Sequence, residues 1–293
     1  MSKKQKTAGE KAFDFLNALF MILMCCLMLY PFIHVTAIAF STQAEAIRPG
    51  LHFFPPPDKV DFTAIQKVVT APEIWNAYGN TIFRTVVGTI LSVLCTGLGA
   101  YAISKKELPL KKPIMGLIVF AMFFSGGLIP DYLLIRNLGL MNSHWAMILP
   151  SLVWGFNIMV MKNFFEEIPV SLEESAKLDG ANDLLIFSRI YVPLSKPVIA
   201  TVAMWMAVHH WNAYMDNLLY MNDTSKYVLQ RIIRNIVIDA QASHMESMSS
   251  SAALSPESMK GATILVSIIP IIMVYPFVQK YFIKGVMIGA VKG

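Results

Sequence analysis

Between His209 and Tyr220 an otherwise apolar run carries His209, His210, Trp211, Asn212, Tyr214, Asp216, Asn217 and Tyr220. Aromatic rings stack on the CH faces of sugars, and amide, imidazole and carboxylate groups exchange hydrogen bonds with hydroxyls, so this set has the chemistry of a carbohydrate contact surface. His210, Trp211, Asn212, Tyr214 and Asp216 are the expected residues of a substrate pathway, joined by Asn157 from an earlier apolar run. A different reading makes Trp211 and Tyr214 part of an interfacial aromatic belt and gives Asn212 a hydrogen bond between helices. A metal or hydrolase site is disfavoured: neighbouring histidines on a helix point about 100° apart, and neither HExxH nor GxSxG occurs. Arg84 stands alone in its apolar run and is expected to snorkel or to pair with another helix.

A second cluster is polar throughout. Glu166, Glu167, Glu173, Glu174, Asp179 and Asp183 lie between two long apolar runs, in a segment that closes on Pro193 and Pro197. Ser171, three residues ahead of Glu174, has capping-box spacing, so a helix is expected from Pro169 to Gly180 with Glu173, Lys177 and Asp183 facing water. Leu172, Ala176, Leu178 and Ala181 form its apolar-to-small face, and Gly180 allows a sharp turn. A second short helix, Leu184 to Tyr191, should end before Pro193. A pair of helices lying on the inner leaflet is the alternative, but such helices are rich in lysine and arginine, and an acidic surface points to a protein partner. No GxxxxGK[ST] occurs, so the chain has no P-loop of its own.

The elements that position both clusters are membrane helices. Of 293 residues 55% are hydrophobic and 15% charged, with a mean hydropathy of +0.54, which belongs to an all-α integral membrane protein. The net charge of +5 is scattered over short connections rather than gathered in a stripe, which disfavours nucleic acid. Cys25, Cys26 and Cys95 lie in apolar runs and behave as small hydrophobes. Six runs are long enough to cross a bilayer: Phe15 to Phe40, Gly79 to Ile103, Pro113 to Ile135, His144 to Met161, Val198 to Met221 and Gly261 to Ile283. Ala37 to Ala39 reads A-x-A, but the first run is far longer than a signal peptide's apolar core, which favours an uncleaved span. A kink or break is expected at Gly126 to Pro130. Lysines at 3, 4, 6 and 11, at 105, 106, 111 and 112, and at 280, 284 and 292 fall on one side, which places both termini and the Glu174 segment in the cytoplasm. The organisation is then a cytoplasmic tail over 1–14, a transmembrane domain over 15–283 with its loop at 166–197, and a cytoplasmic tail over 284–293. Of the outer loops, Leu51 to Pro57 should be extended, and Met245 to Ser258 rich in turns.

Glu174, Ser175, Ala176, Gly180, Ile190, Val192 and Pro193 have the spacing of the EAA loop found in permease subunits of binding-protein-dependent ATP-binding-cassette importers, with Ser175 for alanine and Val192 for leucine. FSGGLIPDYLLIRNLGL, HHWNAYMDNLLY and YPFVQKYFIKGVMIGAVKG also resemble carbohydrate-uptake permeases related to the maltose importer, in the LplC-type subgroup. That resemblance implies a type I importer permease of six spans in a bacterial inner membrane. It implies as partners a second similar permease, two ATPase subunits that hold ATP and magnesium, an extracytoplasmic solute-binding protein and an oligosaccharide cargo, with plant or algal polysaccharide fragments as the expected class. Glu174, Ser175, Ala176, Asp179, Gly180 and Pro193 become the expected ATPase-coupling residues. A non-sugar solute, or a membrane scaffold, are the alternatives.

Overall fold

The computed structural model describes residues 7–246 and 256–290. Most of the turn-rich stretch expected at Met245 to Ser258 lies outside them, as do Lys3, Lys4, Lys6 and Lys292. The elements among the described residues are helices, with one isolated antiparallel bridge between Ser41 and Val60.

Two helices, α1 (Ala8–Ala39) and α2 (Pro72–Ser104), are each long and apolar enough to cross a membrane. The third run breaks at the expected place, whereas the expectation of single continuous helices over the fourth and fifth runs is corrected. α3 (Lys111–Phe123) and α4 (Leu128–Asn137) meet at 113°, and Trp145–Ser151 meets α5 (Gly155–Glu166) at 51°. Past α6 (Val170–Leu178), the segment Asp183–Leu194 meets α7 (Lys196–Asn212) at 86°, and the fifth run breaks again before α8 (Met215–Tyr220). The first break falls where glycines were expected to interrupt: Gly127 caps α4 at φ +90°, a conformation open chiefly to glycine, and Pro130 fits in the first turn. At Ala213, φ −74° and ψ 134° end α7 with no glycine or proline to announce it. After α9 (Leu229–Glu246), the sixth run forms the 35-residue helix α10 (Pro256–Ala290).

The chain divides into two compact units. The first comprises residues 1–71 and 233–269. Its α1 opens on a capping box, in which Thr7 Oγ1 accepts from the Glu10 amide at 3.3 Å and Glu10 Oε2 from the Thr7 amide at 2.7 Å. Ala37 and Ala39 of the A-x-A triplet are buried, because a side chain on Gly261 would stand 3.0 Å from the Ala39 nitrogen. Small residues there let two backbones touch, as in helix pairs packed in lipid.

The second unit comprises residues 72–232 and 270–293 and is built on α2. Its buried positions Ala77, Thr81, Arg84, Gly88, Ser92 and Thr96 recur every three or four residues, which makes one face of mostly small side chains for α5 and α7 to pack on. Met161, Phe165, Phe187, Tyr191, Val202 and Met206 form a core toward one end of this unit, and Ile135, Met147, Tyr220, Met221 and Val228 a second core. Thr81 Oγ1 accepts from the Leu229 amide at 2.9 Å and Asn80 Nδ2 donates to the Tyr227 carbonyl at 2.9 Å, so side chains of α2 hold the loop after α8.

Candidate functional site

The polar loop folds as two short helical pieces around a glycine. Two details of the sequence expectation change. Helix α6 begins at Val170 with Pro169 as its cap, so Ser171 sits inside the first turn and makes no capping box. Pro169, at ψ 128°, already turns the chain into the helix, and its fixed φ pre-organises the start. The second piece also runs through Pro193. Asp183–Ile186, capped by Asn182 Oδ1 accepting from the Leu185 amide at 2.9 Å, passes into a π-helical turn at Phe187–Tyr191 and then into Val192–Leu194. The wider π register changes which carbonyls need a donor, and that accommodates a residue without an N–H.

Gly180 occupies the position sequence reasoning gave it, and its role is explicit. The Ala181 amide donates to the Ala176 carbonyl at 2.9 Å and the Gly180 amide to the Lys177 carbonyl at 3.0 Å, while Gly180 has φ +81°. This pair of bonds around a left-handed residue is a Schellman C-terminus. Glu174, Ser175, Asp179 and Pro193 are exposed, and Ala176 is half-buried against the core that holds Phe165 and Tyr191. Leu178, expected on the packed face, is instead 90% exposed at the tip. An apolar side chain left at the tip of an acidic knob is what a protein partner's cleft would cover.

Within this chain the knob is anchored through Glu173. Expected to face water, Glu173 is only 7% exposed and receives Lys105 Nζ at 2.5 Å, Lys177 Nζ at 2.9 Å and the Tyr191 hydroxyl at 2.9 Å. The Lys105 ammonium also lies 3.9 Å from the Tyr101 ring centroid and 4.4 Å from that of Tyr191. The loop is therefore tied to the end of α2. Burial alone would raise the Glu173 pKa, but the three donors outweigh it and hold the group at about 2, against an ordinary 4.5. Burial lowers the Lys105 pKa even though Glu173 opposes it. Because the carboxyl is depressed in the folded loop, its stabilisation is complete above about pH 4.5 and disappears as pH falls toward about 2. Amide hydrogen exchange in α6 should accelerate over that window in the wild-type chain. Glu173→Gln should remove the pH step and cost about 2 kcal/mol of local stability at neutral pH, since it strands a partly buried lysine; an unchanged pH step would contradict the anchor.

The fifth-run cluster divides in two. Asn212, Tyr214 and Asp216 line a cavity of about 480 Å³ together with His209, Asp131 and Tyr220. Two helix breaks bound it, since Ser125 and Gly127 precede α4 and Ala213 precedes α8. Discontinuous helices lining a cavity that carries a few polar groups are a common way to build a transport path, because freed backbone groups are tolerated there. Asn157, His210 and Trp211 are not among the lining residues. Asn157 is buried with its amide nitrogen 3.2 Å from Met206 Sδ, and His210 is fully buried against Gly88. Asn212 donates to Val208 of its own helix at 2.9 Å, so it bonds within α7 rather than between helices. His209 packs edge-on to Trp154 at 4.6 Å. His209 and Tyr220 belong to the polar set read from the fifth run but not to its expected pathway residues, and Asp131 was missed because nothing in the sequence shows that the bend at Ala213 brings α8 to α4.

Arg84 pairs between helices, one of its two expected roles. It is fully buried, twelve residues into α2, and both its terminal nitrogens reach Asp216.

Residues 7–288 match the family described as binding-protein-dependent transport system inner membrane component. The chain is 41% identical over 97% of its length to the polygalacturonan/rhamnogalacturonan transport system permease protein YtcP of Bacillus subtilis (strain 168), of which 99% is covered. It is 40% identical to protein LplC of the same organism, over 98% of this chain and 97% of that one. The crystal structure of a bacterial ABC transporter involved in the import of the acidic polysaccharide alginate contains a chain that superposes with a TM-score of 0.86 at 33% identity, over 96% of this chain and 100% of that one.

Proposed function

The chain belongs to the family of binding-protein-dependent transport system inner membrane components, and on that footing we propose that it forms half of the transmembrane path of an ATP-driven oligosaccharide importer. Its partners are a second similar permease, two ATPase subunits that hold ATP and magnesium, and an extracytoplasmic solute-binding protein. Both termini and the 166–197 loop face the cytoplasm, and the chain crosses the bacterial inner membrane six times. The observation that carries the cargo class is the cavity: two tyrosines, an asparagine, a histidine and two carboxylates, set among Leu128, Met215 and Leu219, suit a ligand with both apolar ring faces and hydroxyls. The knob at Glu174 to Gly180, anchored through Glu173, is the part that meets an ATPase. Closure of the ATPase pair would push it, and its bond to Lys105 would carry the displacement into α2.

The reading is tested by reconstituting all subunits and the binding protein in vesicles and measuring ATP-dependent accumulation of oligogalacturonides and of neutral oligosaccharides. Accumulation of a non-sugar solute alone would move the chain to another importer class, and no accumulation of any solute would favour a scaffold. The charge of the wall adds a prediction. Among the described residues, those lining the cavity include Asp131 and Asp216 but no lysine or arginine, so an acidic cargo finds no countercharge at this stretch of wall. Asp131→Asn should lower KM for an oligogalacturonide by about threefold and leave that for a neutral sugar unchanged, the size of one solvent-screened charge contact. Equal effects on both cargoes would remove the electrostatic explanation.

A further inference from the structure

We propose that Arg84 is a positioning residue that holds the break between α7 and α8 in shape and sets the charge that Asp216 presents to the cavity. The inference rests on the transport reading of the cavity but not on any particular cargo.

The break leaves polar groups that a membrane interior cannot solvate. Ala213 ends α7 in extended geometry, so its carbonyl is lost to the helix ladder, and Asp216 carries a carboxylate in the first turn of a six-residue helix. Arg84 answers both. One terminal nitrogen donates to the Ala213 carbonyl at 3.1 Å and to Asp216 Oδ1 at 3.1 Å, and the other donates to Asp216 Oδ2 and lies 3.5 Å from the Met147 carbonyl. The guanidinium is fully buried, while a quarter of the Asp216 side chain stays exposed on the cavity side. A planar fork can hold a carboxylate with two bonds while reaching a backbone oxygen at fixed geometry, which an ammonium cannot do. The cost of burying an ion in a span is reduced here by three polar partners of the terminal nitrogens from two other segments of the chain, while Nε is buried without a partner among the described residues.

The consequence is geometric and electrostatic at once. Tyr214 and Asp216 lie on either side of Met215 at the cavity wall, so whatever fixes Ala213 and Asp216 also fixes Tyr214. Neutralised by Arg84, Asp216 can accept a hydroxyl hydrogen bond without adding a free negative charge beside Asp131. Without Arg84, the same wall would carry two uncompensated carboxylates.

A thiol at the wall reads both. In the assembled transporter with Cys25, Cys26 and Cys95 replaced by serine, Tyr214→Cys is labelled with a cationic and with an anionic thiol reagent, and the ratio of the two rates is taken. Adding Arg84→Gln should raise the cationic-to-anionic ratio at least fivefold, and Arg84→Lys should leave the ratio near its starting value while changing both rates together, because charge is kept and the fork is lost. Adding Asp216→Asn should lower the ratio. A ratio that Arg84→Gln does not move would overturn the proposal; if that variant fails to assemble, an unmoved ratio in Asp216→Asn does the same. Because labelling needs no cargo, failure of the oligosaccharide reading would show in uptake and leave these rates untouched.

Discussion

Gly180→Val is expected to reduce ATP-driven uptake by at least tenfold while the subunit still inserts and assembles. The residue has φ +81° and closes a Schellman turn through bonds from Ala181 to Ala176 and from Gly180 to Lys177. A β-branched side chain in that region costs roughly 1–3 kcal/mol, which is enough to unwind the end of α6 and to displace Leu178 and Asp179. Among the described residues, no atom beyond its chain neighbours lies within 4 Å of where a side chain on Gly180 would begin, so the penalty is one of backbone strain rather than crowding. Gly180→Asn should therefore keep most of the activity, since asparagine adopts left-handed geometry readily. Uptake by reconstituted vesicles, set beside the rate of ATP hydrolysis, separates the outcomes. Hydrolysis that persists without uptake is the expected signature of Gly180→Val, and equal loss in the valine and asparagine variants would point to crowding against a partner instead. Normal uptake by the valine variant would end the coupling role of the turn.

How much of this was legible beforehand differs between the two sites. The two helical pieces of the loop at 166–197 and the turn between them could be read in place, because their signals are local: a glycine between short helices and a proline start. What failed there was the placing of side chains: Glu173, expected to face water, is buried, and Leu178, expected on the packed face, is exposed. Glu173 and Glu174 look alike in sequence, and only the packing of α6 against α2 decides that Glu173 meets Lys105 and Tyr191. The cavity was legible as a composition but not as a surface. Periodicity over Val198 to Met221 predicts one helix with every polar residue somewhere around it, whereas a break at Ala213 turns Tyr214 and Asp216 toward α4 and leaves His210 behind on α2. The break has no local sequence marker, and Arg84, more than 120 residues earlier, supplies its hydrogen bonds. Such a dependence cannot be read along a single stretch of chain.

The contact between Gly88 and His210 decides what the conspicuous histidine pair is for, and it predicts the largest stability effect in the second unit. A side-chain carbon on Gly88 would stand 2.4 Å from His210 Nε2 and 2.7 Å from its two neighbouring ring carbons. The imidazole is fully buried, so it cannot swing aside as an exposed side chain would. Gly88→Ala is thus an overpacking change of about 2 kcal/mol, and Gly88→Leu, which must part α2 from α7, is larger still. Either should lower the melting temperature of the purified transporter and reduce uptake through loss of folded protein, leaving KM near its wild-type value. Shrinking the partner restores the fit: Gly88→Ala with His210→Ala should recover more than half of the loss, a coupling that two independent sites would not show. If His210 instead met cargo in the path, His210→Ala alone would raise KM and the double variant would be no better than it. A melting temperature that the second substitution rescues, with KM unmoved throughout, assigns His210 to helix packing and leaves His209, Asn212, Tyr214, Asp216 and Tyr220 as the polar residues of α7, α8 and their junction that line the cavity.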